Sequence, residues 1–255
     1  MAENKPLLVL QLRPEDKIAD SEYACFLKYG QLPKSLTERI RIERHGIPSD
    51  LQLDNYSAIL VGGSPFDIST PLEKKSAEQL KVEADFQRLL EQVIARDFPF
   101  LGACSGNGLL GNYLGAGIST RFGEAVGCVE LDITPQGKAD KLLAGFPDSI
   151  DVLLGHKEAC DETPVGAELL MTGRDCPVQM FRVGKNIYAT QFHPEGDASE
   201  FTLRIDAYKH HGYFLPEEAE QLVAAVSRKP TPFAQEILRR FVAIYVLPGT
   251  TREFR

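Results

Sequence analysis

Residues 99–110 constrain this chain more than any other stretch. An apolar run, Pro-Phe-Leu-Gly-Ala, stops at Cys104, and Ser105, Gly106 and small, helix-compatible residues follow. The order is strand, tight turn, helix. Gly102 and Gly106 give the backbone room for a strained turn that lifts one side chain above a sheet. The lifted side chain is a thiol. At a helix start it meets free N–H groups and the positive end of the helix dipole, which favour thiolate and predict a lowered pKa. Taken alone, the stretch also fits a buried structural cysteine beside a glycine turn.

A second segment, residues 186–196, reads Asn-Ile-Tyr-Ala-Thr-Gln-Phe-His-Pro-Glu-Gly. Its alternating apolar residues suit a strand, and Pro194 prevents continued regular pairing. His193 is thereby presented at a strand end, with Glu195 two residues on. A thiol nucleophile needs a base, and the base needs an acceptor that fixes its tautomer and holds the imidazolium. Cys104, His193 and Glu195 supply these three roles. A lone strand-end histidine is more often a polar surface group; pairing with an elbow cysteine is what makes this one a candidate base.

With these residues the chain resembles the class I, or triad, glutamine amidotransferases. The family pattern is a Gly-x-Cys-x-Gly elbow followed by a strand ending in Gln-Phe-His-Pro-Glu, present here at 102–106 and 191–195. Ala-Ile-Leu-Val-Gly-Gly-Ser-Pro at 58–65 resembles the family's glycine loop, with Gly62 placed against substrate and the Gly63 N–H in an oxyanion hole. The resemblance gives Ser105 the second oxyanion N–H. Phe122, Gly123 and Glu124 resemble the loop lining the glutamine pocket, and His156 resembles the family's Ser-His segment. The resemblance runs from about residue 7 to about 203 and is strongest to stand-alone, GMP-synthase-like members. One departure is clear: the usual His-Gln or Gln-Gln after the elbow glycine is replaced by Asn107 and Gly108. Gly108 has no side chain to hold a substrate amide, which opens the pocket to larger γ-glutamyl compounds.

Composition fits a soluble cytoplasmic enzyme. The chain has 255 residues and a formal charge of −8, against nonspecific nucleic-acid binding. The apolar run at 6–11 is too short for a signal peptide or membrane span. Five cysteines, at 25, 104, 128, 160 and 176, show no CxxC spacing, so neither a disulfide framework nor a metal site is expected. A reducing compartment also suits a catalytic thiol.

Strands are expected at 7–12, 40–43, 56–61 and 98–103, with helices at 19–29, 76–96 and 107–114. In the 76–96 helix, Ala77, Leu80, Ala84, Leu90, Val93 and Ile94 approximate an apolar stripe. The alternation predicts an α/β fold: a mostly parallel, flavodoxin-like central sheet flanked by helices, with the site at the carboxyl ends of its strands. Shorter strands over 122–192 predict an antiparallel or mixed extension bearing the pocket wall. Helices are expected at 198–210, 216–226 and 232–246, the last with Thr231 as N-cap, Pro232 at its first position and Phe233, Ile237, Leu238, Phe241, Val242 and Tyr245 on one face. That face either packs on the core or docks an ammonia-accepting partner; packing is the simpler reading. The domain reading is an amidotransferase-like unit over 1–203 with a helical extension over 204–255 packed on it. His210 and His211, about 100° apart on a helix, read as solvent-facing or capping.

The expected reaction is cofactor-free. Cys104 attacks the γ-carboxamide of glutamine or another γ-glutamyl compound, His193 moves the proton, and water hydrolyses the thioester. The sequence has no Gly-x-x-x-x-Gly-Lys-Ser/Thr loop, so ATP-dependent amination would fall to a separate synthase. Two other readings are a γ-glutamyl peptidase acting on a larger substrate, and a catalytically silent binding protein on the same fold.

Overall fold

A computed structural model of the chain describes residues 5–209 and 214–247. The strands are β1 (Leu7–Gln11), β2 (Thr37–Arg41), β3 (Ala58–Val61), β4 (Phe100–Ala103), β5 (Ile118–Ser119), β6 (Glu124–Ile133), β7 (Ser149–His156), β8 (Ala159–Cys160), β9 (Ala167–Thr172), β10 (Met180–Val183) and β11 (Ile187–Thr190). The helices are α1 (Asp16–Gly30), α2 (Ile42–His45), α3 (Ala77–Ala95), α4 (Ser105–Tyr113), α5 (Pro135–Ala139), α6 (Ala198–Tyr208), α7 (Ala219–Val226) and α8 (Pro232–Tyr245).

Nine strands form one sheet in the order β2-β1-β3-β4-β11-β10-β9-β6-β7, and β5 pairs with β8 apart from it. From β2 to β11 every pairing is parallel; from β11 to β7 every pairing is antiparallel. The expected α/β architecture is therefore present. The antiparallel strands continue the same sheet.

Strand periodicity sends alternate side chains to opposite faces. In β1, Leu7 and Val9 join one core with Phe26, Leu238 and Phe241, whereas Leu8 and Leu10 join another with Phe86, Leu89 and Leu110. Helices α1 and α8 thus cover one face, and α3 and α4 the other. Each fully buried Leu or Phe contributes about 1.5–3 kcal/mol, so both layers are strongly held. The α8 stripe points inward through Ile237, Leu238, Phe241 and Val242; Phe233 stays 39% exposed and meets Phe146 edge-on.

Several boundaries differ from the sequence reading. The α3 face that packs is Val82, Phe86, Leu89, Leu90 and Val93, while Leu80 is 39% exposed. That set has the tighter i, i+3, i+4 spacing. Ser76 caps α3 through the Gln79 N–H. The expected strand at 40–43 occurs as Thr37–Arg41 and turns directly into α2 at Ile42. Thr231 holds the N-cap position of α8 without a side-chain cap hydrogen bond. His210 and His211 lie outside the described residues. Among the described residues, no helix is long and apolar enough to cross a membrane.

Candidate active site

Strands β4 and β11 lie side by side at the centre of the sheet, and the chain leaves both at the same edge. The Cys104 N–H donates to the Thr190 carbonyl at 2.7 Å, so the elbow is tied to the strand that leads to His193. Cys104 has φ 52° and ψ −98°, a positive φ at a non-glycine residue, and forms the N-cap of α4. Such strain persists only where the surroundings impose it. Gly102 is one imposing element: a Cβ there would lie 2.8 Å from the Gly106 carbonyl carbon.

His193 is 3% exposed and Glu195 is fully buried. The imidazole Nδ1 and Glu195 Oε1 are 2.6 Å apart. A carboxylate only accepts, which puts the proton on Nδ1 and leaves Nε2 as the acceptor. Cys104 and His193 line one cleft. The Arg204 Nη1 lies 3.0 Å from both ring nitrogens. One atom equidistant from both cannot lie in the ring plane without striking Cε1, so the guanidinium lies over the ring face. Arg204 also pairs with Glu195 at 3.1 Å and Glu22 at 3.4 Å, and contacts Glu200. Arg13 joins the cluster through Glu22 at 3.1 Å.

These charges set the site's protonation. Burial, with Arg204 second, pushes His193 down to about 4 despite Glu195. Burial works against the Glu195 carboxylate, but His193 and Arg204 hold it well below the usual range. Burial pushes the Cys104 thiol up to about 11, although Arg13 and Arg204 draw it down. This differs from the expected lowered thiol pKa. Desolvation of the anion outweighs the two guanidiniums and the helix start. Thiol and imidazole are both neutral at pH 7.

The glycine loop after β3 reaches the same centre. The Ser64 N–H donates to Ser105 Oγ at 2.8 Å, joining the loop to the start of α4. A Cβ on Gly63 would lie 2.4 Å from Arg13 Nη2 and 2.9 Å from His193 Cε1, so only glycine allows this approach. A Cβ on Gly62 would strike Glu22.

The other substrate-pocket candidates lie in two places. Asn107 is buried and turned from the cleft, its Oδ1 accepting from Cys160 Sγ at 3.3 Å. At Gly108 a Cβ would meet Ile68 Cγ1 at 3.6 Å, with Glu158 Oε1 at 3.9 Å. The room left by the missing side chain is bordered by the loop after β3. Glu158 holds that loop, accepting from the Ile68 and Ser69 N–H groups at 2.6 and 2.8 Å. His156 borders a cleft next to Cys104. Behind it, Glu124 Oε2 meets His156 Nε2 at 2.9 Å and accepts from Gln179 Nε2 at 2.6 Å. Gly123 is pressed against the Lys157 carbonyl, and the Phe122 ring stacks under Arg121. Phe122, Gly123 and Glu124 thus support His156 from behind.

Among the described residues, metal-donor side chains converge at Glu124, His156 and Cys176, whose donor atoms lie within 4.8 Å of one another. His156 and Gln179 already occupy the Glu124 oxygen there.

Sequence reading missed Arg13, Glu22, Glu200 and Arg204. A signal existed: Glu22 interrupts the apolar stripe Ile18-Ala19-Phe26 of α1, and Arg204 interrupts Phe201-Ile205-Tyr208 of α6. A charge on a packing face is seldom buried without a partner.

Residues 33–210 match the family described as Glutamine amidotransferase class-I. A stand-alone subunit of the glutamine-hydrolyzing GMP synthase of Sulfurisphaera tokodaii is 28% identical over 154 residues, 60% of this chain and 74% of that protein. The corresponding GMP synthase subunit of Methanosphaera stadtmanae is 27% identical over 176 residues, covering 67% of this chain and 84% of that protein. The crystal structure of a glutamine amidotransferase from Thermotoga maritima superposes with a TM-score of 0.74 at 23% identity, over 96% of this chain and 99% of that one.

Proposed function

The chain belongs to the class I glutamine amidotransferase family, and from that premise we propose that it hydrolyses γ-glutamyl amides through a thioester on Cys104. The observation that carries this reading is the 2.6 Å His193–Glu195 contact beside a cleft shared with the elbow thiol.

With both partners neutral, the first step is general-base attack. His193 Nε2 takes the thiol proton as Sγ bonds the γ-carbon. The N–H groups of Gly63 and Ser105 receive the oxyanion, a contribution of about 3 kcal/mol per donor. Collapse breaks the C–N bond, and His193 returns the proton to the departing nitrogen. Water then attacks the thioester, its proton passing through His193 to the sulfur, and glutamate leaves. With glutamine as substrate the released amine is ammonia. Since the relatives are described as subunits, we propose that a separate ATP-dependent synthase consumes it. The working unit is residues 1–203, with the later helices packed on it, in a reducing cytoplasm that preserves the thiol.

The test is glutamate release from glutamine by the purified chain beside Cys104→Ala. Release that disappears in the variant is expected. Equal release from both would overturn the mechanism. Labelling of Cys104 by 6-diazo-5-oxonorleucine provides a second readout, and a silent binding protein would show neither.

A further inference from the structure

Two clefts meet at Cys104, and Ser64, Cys104 and Gly155 line both. They differ in chemistry. The first runs past Asp67, Lys157, Glu158 and Gln191, with charges of both signs. Gln191 Oε1 is buried there without a partner. This wall suits a zwitterionic amino-acid head. The second is walled by Val126, Phe201, Ile205, Tyr208 and Phe214, and encloses about 480 Å³ with its open mouth counted.

His193 lines the second cleft and not the first. The group that hands a proton to the departing nitrogen must face that nitrogen. The acyl chain and the amine leave the attacked carbon in different directions. The charged cleft therefore takes the γ-glutamyl part, and the apolar cleft receives the amine. Ammonia is one heavy atom and fills none of it, whereas the volume is within the range of small-molecule sites.

We propose that the apolar cleft is a leaving-group subsite, and that the preferred substrates are γ-glutamyl amides of amines carrying an apolar or aromatic group. The inference rests on the roles given above to Cys104 and His193. The Sγ–C bond forms as the C–N bond breaks, the thiol proton goes through His193 to the amine, and water completes release of glutamate. Arg13 and Arg204, which also line this cleft, disfavour an amine with a second positive charge.

The test compares kcat/KM on the full chain for glutamine, γ-glutamylphenylalanine, γ-glutamylglycine and γ-glutamyllysine joined through its α-amine, with the ε-amine free. The phenylalanine and glycine compounds have leaving amines of similar basicity, so their ratio reports the cleft. A preference for the phenylalanine compound of ~10-fold or more is expected, because apolar pockets discriminate by about this much. The lysine compound should be poorer than the glycine one. Phe214→Ala should reduce the Phe/Gly ratio several-fold, and Val126→Ser gives the same reading if that variant fails to fold. Calorimetry on Cys104→Ala measures the same preference as binding, without turnover. Equal turnover and equal binding of the phenylalanine and glycine compounds would overturn the subsite, while Cys104-dependent glutamine hydrolysis left the thioester mechanism standing. A binding preference without Cys104-dependent cleavage of any compound would support the subsite and overturn the mechanism.

Discussion

Alkylation of Cys104 across pH tests the neutral resting pair directly. With the thiol near 11 and the imidazole near 4, transfer of the proton between them is uphill by roughly 10 kcal/mol. Attraction within the resulting ion pair returns about 4 kcal/mol at a separation of about 4 Å and an effective dielectric near 20. The neutral pair is then favoured by roughly 6 kcal/mol. At pH 7.5 an ordinary cysteine is about 10% thiolate. A thiol at about 11 holds ~300-fold less thiolate, and its greater nucleophilicity recovers roughly tenfold. Iodoacetamide should therefore modify Cys104 about 30-fold more slowly than free cysteine at pH 7.5. The rate should climb about tenfold per pH unit to beyond pH 10. Peptide mass spectrometry isolates the signal from Cys25, Cys160 and Cys176, which burial pushes up to about 12. A Cys104 rate that reaches its plateau below pH 8 would mean a preformed thiolate and refute the reasoning.

The pH profile of kcat/KM should stay level down to about pH 5 and fall only as His193 protonates near 4, since an imidazolium cannot accept the thiol proton; an acid limb at the ordinary histidine value near 6.5 would contradict this. Arg204→Met should destabilise the fold by about 3–5 kcal/mol in urea titrations, because it leaves Glu195, Glu200 and Glu22 buried without that partner. The same variant should raise the acid limb of kcat/KM, because a cation leaves the ring face, and an unmoved limb would dismiss that role. Gly102→Ala should cost about 1–3 kcal/mol through its clash with Gly106, whereas Gly108→Ala, in ordinary contact with Ile68, should be neutral or stabilising by up to about 1 kcal/mol; equal losses at the two sites would refute the packing argument.

What the sequence made legible was local. The glycines around Cys104 and the proline after His193 each announce a strand end, because backbone chemistry at those positions permits little else. Long-range placement was less legible. Residues 122–192 showed short strands with turns, but nothing in that pattern says that β10 pairs beside β11 and extends the central sheet. The order depends on which edges remain free after β4 and β11 have paired. The charge cluster was hidden for a related reason. Arg13, Glu22 and Arg204 come from the end of β1, from α1 and from α6, and α6 lies far along the chain from the other two. Only the misfit of Glu22 and Arg204 within apolar stripes betrayed them.

That cluster has a chemical consequence. An imidazole held near 4 is a poor base and a strong acid. The poor base explains why the thiol keeps its proton until the S–C bond is forming. The strong acid suits the harder half of amide cleavage, since an α-amino leaving group has a conjugate acid near 8 and takes the imidazolium proton downhill. Glu195 alone would raise the histidine and weaken that acid. Arg204 over the ring face opposes it while sharing the same carboxylate. Two guanidiniums facing Glu22, Glu195 and Glu200 would leave an excess negative charge, but burial lifts Glu200 to about 7, so near neutral pH the cluster approaches balance. The arrangement tunes His193 without placing a large net charge beside the apolar cleft, and an uncharged, apolar amine can approach the acid that releases it.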